Sequence, residues 1–312
     1  MDLPMMAYLI IDAGGTYLKS AVLNRTGEIL MDSGYITKSF SKSSKEKIIQ
    51  AFYETVTHGL NCIERMGMIL GGIGIAFPGP FDYENGIPLM EHKFMRIHGV
   101  NLQEVICRIP GVSPDVAIKF MHDANAVLAG ELWKGKAVGH DNAAVVTLGT
   151  GLGFAFSQNG VIQCSSLGSP MVTIYRLPYG QGILEDYASQ RGFLQIYQKI
   201  TGKTESGKIK VSDIGNWACK GDLHSIQTFR IVGKILAESL EKILIERNIQ
   251  CLLLGGQISR SFHYMEESLK QGLKEVKCLR KISVVESIDN AALFGVLKNI
   301  VNIPDFELNK PR

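Results

Sequence analysis

Two segments of the chain share an unusual order of apolar and small residues. Residues 9–22 run from an apolar stretch through Ala13-Gly14-Gly15-Thr16 into a second strand-like stretch. Residues 144–156 do the same around Leu148-Gly149-Thr150-Gly151. Each pattern predicts two buried strands joined by a turn that lacks large side chains. Because glycine lets backbone N–H groups approach a ligand and consecutive N–H groups hold anions, the two copies predict a pair of phosphate-binding turns.

Strand and helix patterns alternate around both turns. In the first part of the chain, strands are predicted at 6–11, 18–23, 28–35, 68–76 and 116–120, and helices at 44–63 and 123–133. In the second part, strands are predicted from 142 to 156, at 249–254 and at 282–285, and helices at 182–199, at 222–248, after 256 and at 291–300. This order predicts a duplicated α/β fold with mixed sheets. Residues 82–100 lack periodicity and are interpreted as a functional loop region.

Composition narrows the class of protein. The 312 residues suit two cores, and 46% hydrophobic with 20% charged residues is typical of a soluble globular protein. A net charge of +3 without basic blocks gives no support for nucleic-acid binding, and no apolar stretch is long enough to cross a membrane. A strand begins by Tyr8, so we expect no signal peptide and a cytoplasmic protein with reduced cysteines.

Five motifs together resemble the ROK family of sugar kinases (repressors, open reading frames and kinases), within the actin–hexokinase–Hsp70 superfamily. In chain order they are Asp12-Ala13-Gly14-Gly15-Thr16 with Lys19, Gly74-Ile75-Ala76-Phe77-Pro78-Gly79-Pro80, His122-Asp123-Ala124-Asn125-Ala126 with Gly130-Glu131, Leu148-Gly149-Thr150-Gly151-Leu152-Gly153, and Leu254-Gly255-Gly256. One such motif would be weak, whereas five in the family's order and approximate spacing are specific.

The resemblance implies both a fold and an activity. The fold would be two ribonuclease H-like domains of the actin-like ATPase type, with mixed β-sheets around an interdomain cleft. We place the first domain at 1–121 and the second at 122–287, with a C-terminal helix at 288–312 that packs back on the first. The activity would be ATP-dependent phosphorylation of a hydroxyl on a hexose or hexose derivative, with Mg²⁺.

Two carboxylates are the main candidates for chemistry. Asp12 would hold Mg²⁺ through water, although an aspartate that only caps a turn is common. Asp123 would be the base that accepts the sugar hydroxyl proton, although on its own it reads as a plain helix N-cap. Lys19 would neutralise phosphate charge or be a surface lysine of the strand. Asn125 is interpreted as structural.

The glycine motifs would bind the nucleotide. Gly14, Gly15 and Thr16 form one candidate phosphate site, and Gly149, Thr150 and Gly151 form the second, with an apolar hairpin turn as the alternative. Gly255 and Gly256 follow a strand and open a predicted helix, where N–H groups suit a nucleotide, although a simple helix-entry turn fits as well. Gly202-Lys203-Thr204 mimics the end of a P-loop, but no glycine or strand precedes it correctly.

Several positions depart from the family pattern. The family's zinc ligands, one His and three Cys, are replaced by Ser169, Arg176, Pro178 and Ile183, so we expect no zinc site. Candidate sugar contacts are Gly79, His122, Asp123 and Glu185, where Glu185 also reads as an ordinary first-turn helix glutamate. Ser166 replaces the family's Glu, His122 its Asn, and Glu91-His92-Lys93-Phe94 its Pro-Asn-Leu loop. Glucose specificity therefore does not follow.

Two rival functions remain open at this level. A catalytically silent sugar or nucleotide sensor is favoured by the changed sugar contacts and opposed by the retained Asp12, Thr16 and Asp123. A sugar-responsive transcription regulator of the family would need a DNA-binding segment ahead of Asp12, for which the sequence leaves little room. An amphipathic helix pair would permit a homodimer, so we expect one, although no particular helix is indicated.

Overall fold

The computed structural model describes residues 5–202 and 209–301. Among these residues, no helix is both long and apolar enough to cross a membrane. Up to residue 134 the elements are β1 (Met6–Ala13), β2 (Tyr17–Asn24), β3 (Tyr35–Lys38), α1 (Lys45–Arg65), β4 (Ile69–Phe77), β5 (Phe81–Asp82), β6 (Ile87–Pro88), a 3₁₀ turn (Met95–Ile97), α2 (Leu102–Cys107), β7 (Ile118–His122) and α3 (Asp123–Lys134).

The other elements of the described residues follow α3 in the chain. They are β8 (Ala143–Leu148), β9 (Leu152–Gln158), β10 (Val161–Ile162), β11 (Pro178–Tyr179), β12 (Gly182–Ile183), α4 (Leu184–Ala188), α5 (Gln190–Thr201), α6 (Val211–Cys219), α7 (Leu223–Glu246), β13 (Cys251–Gly255), a 3₁₀ segment (Gln257–Tyr264), α8 (Glu266–Gly272), β14 (Lys281–Val284) and α9 (Ala291–Ile300).

The chain divides into two compact units. Of the described residues, the first unit comprises 5–134, 164–170 and 290–301, and the second comprises 135–163, 171–202 and 209–289. The first division thus falls after α3 and not at 121/122, where the sequence placed it. Helix α3 stays with the first unit because its closest partner is α9.

The first unit is built on a five-stranded mixed sheet. Its strand order is β3-β2-β1-β4-β7, with β1, β4 and β7 parallel and β2 antiparallel to β1. Successive residues of β1 face opposite sides of the sheet. Leu9 and Ile11 pack with α1 residues such as Phe52, whereas Ile10 packs with Val296 of α9. The continuous apolar run of β1 is therefore explained by helices on both faces.

Close contact between α3 and α9 depends on two glycines. A Cβ added at Gly295 would lie 1.8 Å from the carbonyl oxygen of Ala126, and one added at Gly130 would lie 2.1 Å from that of Ala291. Neither distance is tolerated by packed atoms, so only glycine permits this approach. The pair fixes α3, and with it Asp123, against the sheet.

The second unit repeats the plan. Its sheet has the order β10-β9-β8-β13-β14, in which β8, β13 and β14 are parallel and β9 is antiparallel to β8. The long helix α7 supplies the largest helical contribution to the core beside it, through residues such as Phe229, Leu236 and Leu240. Asp222 caps α7, because its carboxylate accepts the N–H of Ser225 at 2.7 Å.

The strand predicted at 28–35 is wrong. Only Ile29 forms a bridge to β2, and the third strand begins at Tyr35. In place of a backbone carbonyl from a paired strand, the Ser33 hydroxyl accepts the N–H of Val22 in β2 at 3.1 Å. Asp32 has a left-handed backbone (φ 54°), which turns the chain away from the sheet.

In the second half of the chain, two helix predictions need correction and one helix was not predicted. The helix at 182–199 is broken at Ser189, which has an extended backbone, because the N–H of Gln190 donates instead to the carbonyl of Gly149. The helix expected after Gly256 begins as a 3₁₀ segment with a kink at Ser261. Helix α6 was missed. Gly202 ends α5 with φ 68°, and Lys203 and Thr204 lie outside the described residues.

Replacing Gly295 by alanine tests the helix contact. Alanine normally stabilises a helix interior by about 1 kcal/mol relative to glycine. At Gly295 we expect the opposite, a loss of roughly 2 kcal/mol or more in the free energy of unfolding, because the methyl group overlaps the backbone of Ala126. Urea unfolding measures the change, with Asn299→Ala on the same helix as the control. A Gly295→Ala variant as stable as the control would contradict this packing.

Candidate functional site

Parallel strand pairing gathers the candidate residues of the first unit at one sheet edge. Asp12 of β1 pairs with Ala76 of β4, and the next residue of β4, Phe77, pairs with His122 of β7. The carboxyl ends of three parallel strands therefore lie side by side, which is where α/β sheets place ligands. Asp123 follows β7 directly as the first residue of α3, as predicted.

The first glycine turn adjoins the same edge. Asp12 lies opposite Lys19 in the β1–β2 pair, and the turn between them is closed by the N–H of Gly14, which donates to the carbonyl of Tyr17 at 2.9 Å. A Cβ on Gly14 would lie 3.1 Å from that carbonyl oxygen, so the tight turn favours glycine. Thr16 is exposed.

The two carboxylates at this edge have opposite pKa shifts. The pKa of Asp12 is raised to about 6, chiefly by burial and then by the negative charge of Asp123, with Lys19 opposing both. Burial alone would also raise the pKa of Asp123, but His122, the N–H of Ala124 and the Lys93 ammonium together hold it below its usual value. Asp123 is therefore ionised at neutral pH, while Asp12 is the group whose charge is poorly compensated.

His122 and Gly79 lie next to Asp123. The Nδ1 atom of His122 is 3.0 Å from a carboxylate oxygen of Asp123, whose side chain retains 44% of its exposure. A Cβ on Gly79 would lie 3.3 Å from the His122 ring and 3.5 Å from the hydroxyl of Tyr83. The structure thus brings together Gly79, His122 and Asp123, three of the four predicted sugar contacts.

Sequence reasoning missed Tyr83. Its hydroxyl donates to the carbonyl of Phe77 at 2.8 Å, and burial, followed by the charge of Asp123, raises its pKa well above the usual value. Its ring meets that of His122 edge-on, with centroids 5.9 Å apart. The residue lies in the segment without periodicity, so no sequence signal singled it out.

Asn125 connects α3 to the segment 164–170. Its side-chain amide donates to the carbonyl of Gly168 at 3.1 Å and contacts the sulfur of Cys164 at 3.2 Å. Asn125 is almost completely buried. This placement agrees with the structural interpretation made from the sequence.

The second unit contains the other candidate residues. Gly149 closes the turn between β8 and β9 by donating to the carbonyl of Gly151 at 3.1 Å. A carboxylate oxygen of Glu185 accepts the N–H of Leu152 at 3.1 Å and lies 3.0 Å from where a Cβ on Gly151 would be. Glu185 therefore supports the second glycine turn, a contact that the sequence did not predict. Arg191 lies 3.5 Å from the same carboxyl group.

Gly255 and Gly256 lie beside that turn. Gly255 of β13 pairs with Thr147 of β8, and a Cβ on Gly256 would lie 2.3 Å from the carbonyl oxygen of Leu148. Gly256 also has φ 80°, so glycine is required twice over. The candidate phosphate and adenosine motifs of this unit therefore meet at one sheet edge.

The capacity to hold a metal ion depends on which acidic, histidine and cysteine side chains lie close enough together, among the described residues, to share one. In the described part of the chain, no three or more His, Cys, Asp and Glu side chains form a group that could hold a metal ion. Asp12 and Asp123 are two carboxylates close enough to affect each other's charge. One or two carboxylates combined with substrate phosphates is the usual arrangement for Mg²⁺. The pair therefore fits Mg²⁺ shared with a phosphorylated ligand.

Comparison with known proteins identifies the family to which this chain belongs. The ROK family model matches residues 8–169 and 180–297, and the chain belongs to the ROK family. The solved ROK family glucokinase from Streptomyces griseus, in complex with glucose and AMPPNP, has a TM-score of 0.80 at 20% identity, over 95% of this chain and 100% of that chain. The predicted α/β fold of the actin-like ATPase type, with two mixed sheets, is confirmed.

Curated relatives include both kinases and repressors. The chain is 26% identical to the glucokinase of Thermotoga maritima over 281 residues, 83% of this chain and 84% of that protein. It is 25% identical to the xylose repressor of Bacillus subtilis over 269 residues, 83% of this chain and 66% of the repressor. The similarity to sugar kinases thus runs along most of both chains.

The pKa of Asp12 generates a test of stability against pH. Because the folded pKa, about 6, exceeds the ordinary value of 3.8, ionising Asp12 costs folding energy as the pH rises through this range. Asp12→Asn removes that cost and should stabilise the metal-free protein at pH 8, by up to about 3 kcal/mol. The gain should vanish at about pH 3, where the carboxyl is largely protonated in both states.

Urea unfolding in EDTA at both pH values measures this difference. Asp115→Asn, which removes an exposed carboxylate of the same unit, is the control and should show no such pH dependence. An Asp12→Asn variant less stable than the natural protein at pH 8 would show that Asp12 is well compensated without a ligand.

Proposed function

We propose that this protein is an ATP-dependent kinase that phosphorylates a hydroxyl of a hexose or hexose derivative. The observation that supports this most directly is the pair of carboxylates at one sheet edge, Asp12 and Asp123, with opposite pKa shifts. Pairs of titratable groups pushed apart in this way are typical of sites that divide two roles between them. The family's glucokinase relative supports the same reaction class.

Asp123 is proposed as the base. A carboxylate that is ionised at neutral pH and half exposed can accept a proton from a bound hydroxyl. The N–H of Ala124 donates to Asp123 at 2.7 Å and fixes the orientation of the carboxylate. His122 and Gly79, which border Asp123, are proposed to contact the sugar; Glu185, which supports the second turn, remains a proposed sugar contact.

Asp12 is proposed to bind the metal. Mg²⁺, when bound with ATP, neutralises charge on the phosphates and on Asp12 itself. Gly14, Gly15, Thr16 and Lys19 are proposed to bind phosphate in the first unit. In the second unit, Gly149, Thr150 and Gly151 are proposed to bind phosphate, and Gly255 and Gly256 to lie by the adenosine.

The test is sugar-dependent ADP release with Mg·ATP. The panel of acceptors includes hexoses, N-acetylated amino sugars and pentoses, because the departures at Ser166, Ser169 and His122 leave the sugar open. Asp123→Asn should lower kcat by at least about 10²-fold, the usual contribution of a positioned base, with sugar affinity nearly unchanged. Asp115→Asn is the control, and full activity in Asp123→Asn would exclude the assignment of the base.

A silent sensor is the second candidate. Its support is the xylose repressor among the relatives, together with the changed sugar contacts. A sensor would bind a sugar, detected by calorimetry, without releasing ADP in its presence. That result, obtained over the whole acceptor panel, would favour the sensor over the kinase.

A further inference from the structure

The side chain of Lys93 lies over the first glycine turn. A Cβ built on Gly15 would lie 3.1 Å from Cδ of Lys93, 3.4 Å from Cε and 3.7 Å from Nζ. Lys93 is half-buried, and its ammonium contributes to the low pKa of Asp123. Lys93, in the loop where the sequence departs from the family, therefore touches the turn and is close enough to the proposed base to affect its charge.

Ser41 and Phe94 link the backbone next to Lys93 to the first glycine turn. Phe94 is completely buried, has a left-handed backbone (φ 55°) and donates its N–H to the carbonyl of Ser41 at 2.8 Å. The hydroxyl of Ser41 in turn donates to the carbonyl of Gly15. The Phe94 ring packs on Phe77, with centroids 4.8 Å apart. These contacts fix the backbone of the loop beside Lys93 relative to the first glycine turn.

The position of Lys93 favours a phosphate partner. An ammonium is a compact charge that suits phosphate oxygens. Its aliphatic stem covers Gly15, and the absence of a side chain there leaves room for that stem. If Lys93 served only to pair with Asp123, no contact with the glycine turn would be required.

We propose that Lys93 binds the phosphoryl group transferred by the nucleotide. This rests on the proposed kinase function. In the transfer, the bond from the γ-phosphorus to the oxygen bridging to the β-phosphate breaks, a bond to the sugar oxygen forms, and the hydroxyl proton moves to Asp123. Charge spreads over the three equatorial oxygens of the phosphoryl group, where Lys93 stabilises it and keeps its own proton.

Binding of two nucleotides tests this without relying on turnover. Calorimetry with Mg²⁺ compares AMPPNP, which has a γ-phosphoryl group, with ADP, which has none. Lys93→Met should weaken AMPPNP binding at least tenfold and leave ADP binding within about twofold. Lys93→Arg, which keeps the charge, should retain most of the preference. Lys47→Met, an exposed lysine of α1, is the control for a lost surface charge.

Kinetic constants distinguish a role of Lys93 in binding the phosphoryl group from a role in binding the sugar. Lys93→Met should lower kcat while leaving the KM for the sugar unchanged. A raised KM with an intact preference for AMPPNP would overturn the proposal and make Lys93 a contact for the acceptor. Unchanged binding and kinetics would also overturn it. If the natural protein binds neither nucleotide, the proposed kinase function is overturned as well. If the natural protein is active and the Lys93→Met variant is unaffected, only the role of Lys93 is refuted.

Discussion

The parallel pairing of β1 with β4, and of β4 with β7, is the constraint on which the site of the first unit depends. The register places Asp12 beside Ala76 and Phe77 beside His122. A slip of one residue in β1 would turn its side chains to the other face and move Asp12 away from Asp123. The register is secured because both faces of β1 are buried, by α1 on one side and α9 on the other.

That register also sets the electrostatics. Two carboxylates at one edge repel each other, and the neighbouring side chains compensate their charges unequally. His122 and Lys93 favour the charged form of Asp123, whereas for Asp12 it is Lys19, among the described residues, that opposes burial and repulsion. A metal ion bound with phosphate would favour the charged form of Asp12, as His122 and Lys93 do for Asp123. The weak compensation of the negative charge on Asp12 within the protein therefore supports a ligand-binding role.

Motif chemistry was easier to predict from the sequence than the contacts that support it. The glycine turns and the position of Asp123 at the start of α3 followed from local pattern, because turn chemistry and helix starts are encoded within a few residues. The support of the second turn by Glu185, 33 residues further along the chain than Leu152, has no local signal. The same holds for Ser41, which reaches Gly15 across 26 positions. Long-range hydrogen bonds of this kind are visible only once the strands are paired.

The two glycine turns have nearly the same pattern but different surroundings. The first has the aliphatic stem and the ammonium of Lys93 over Gly15, and the second has the carboxylate of Glu185 against Gly151. Because Glu185 already accepts the N–H of Leu152, one backbone donor beside the second turn is used within the protein. Arg191 lies 3.5 Å from Glu185 and 2.5 Å from Asp186, so its positive charge is shared between two carboxylates. The duplication therefore gives two turns of similar sequence that differ in their closing hydrogen bonds and in the charge of the side chain beside them.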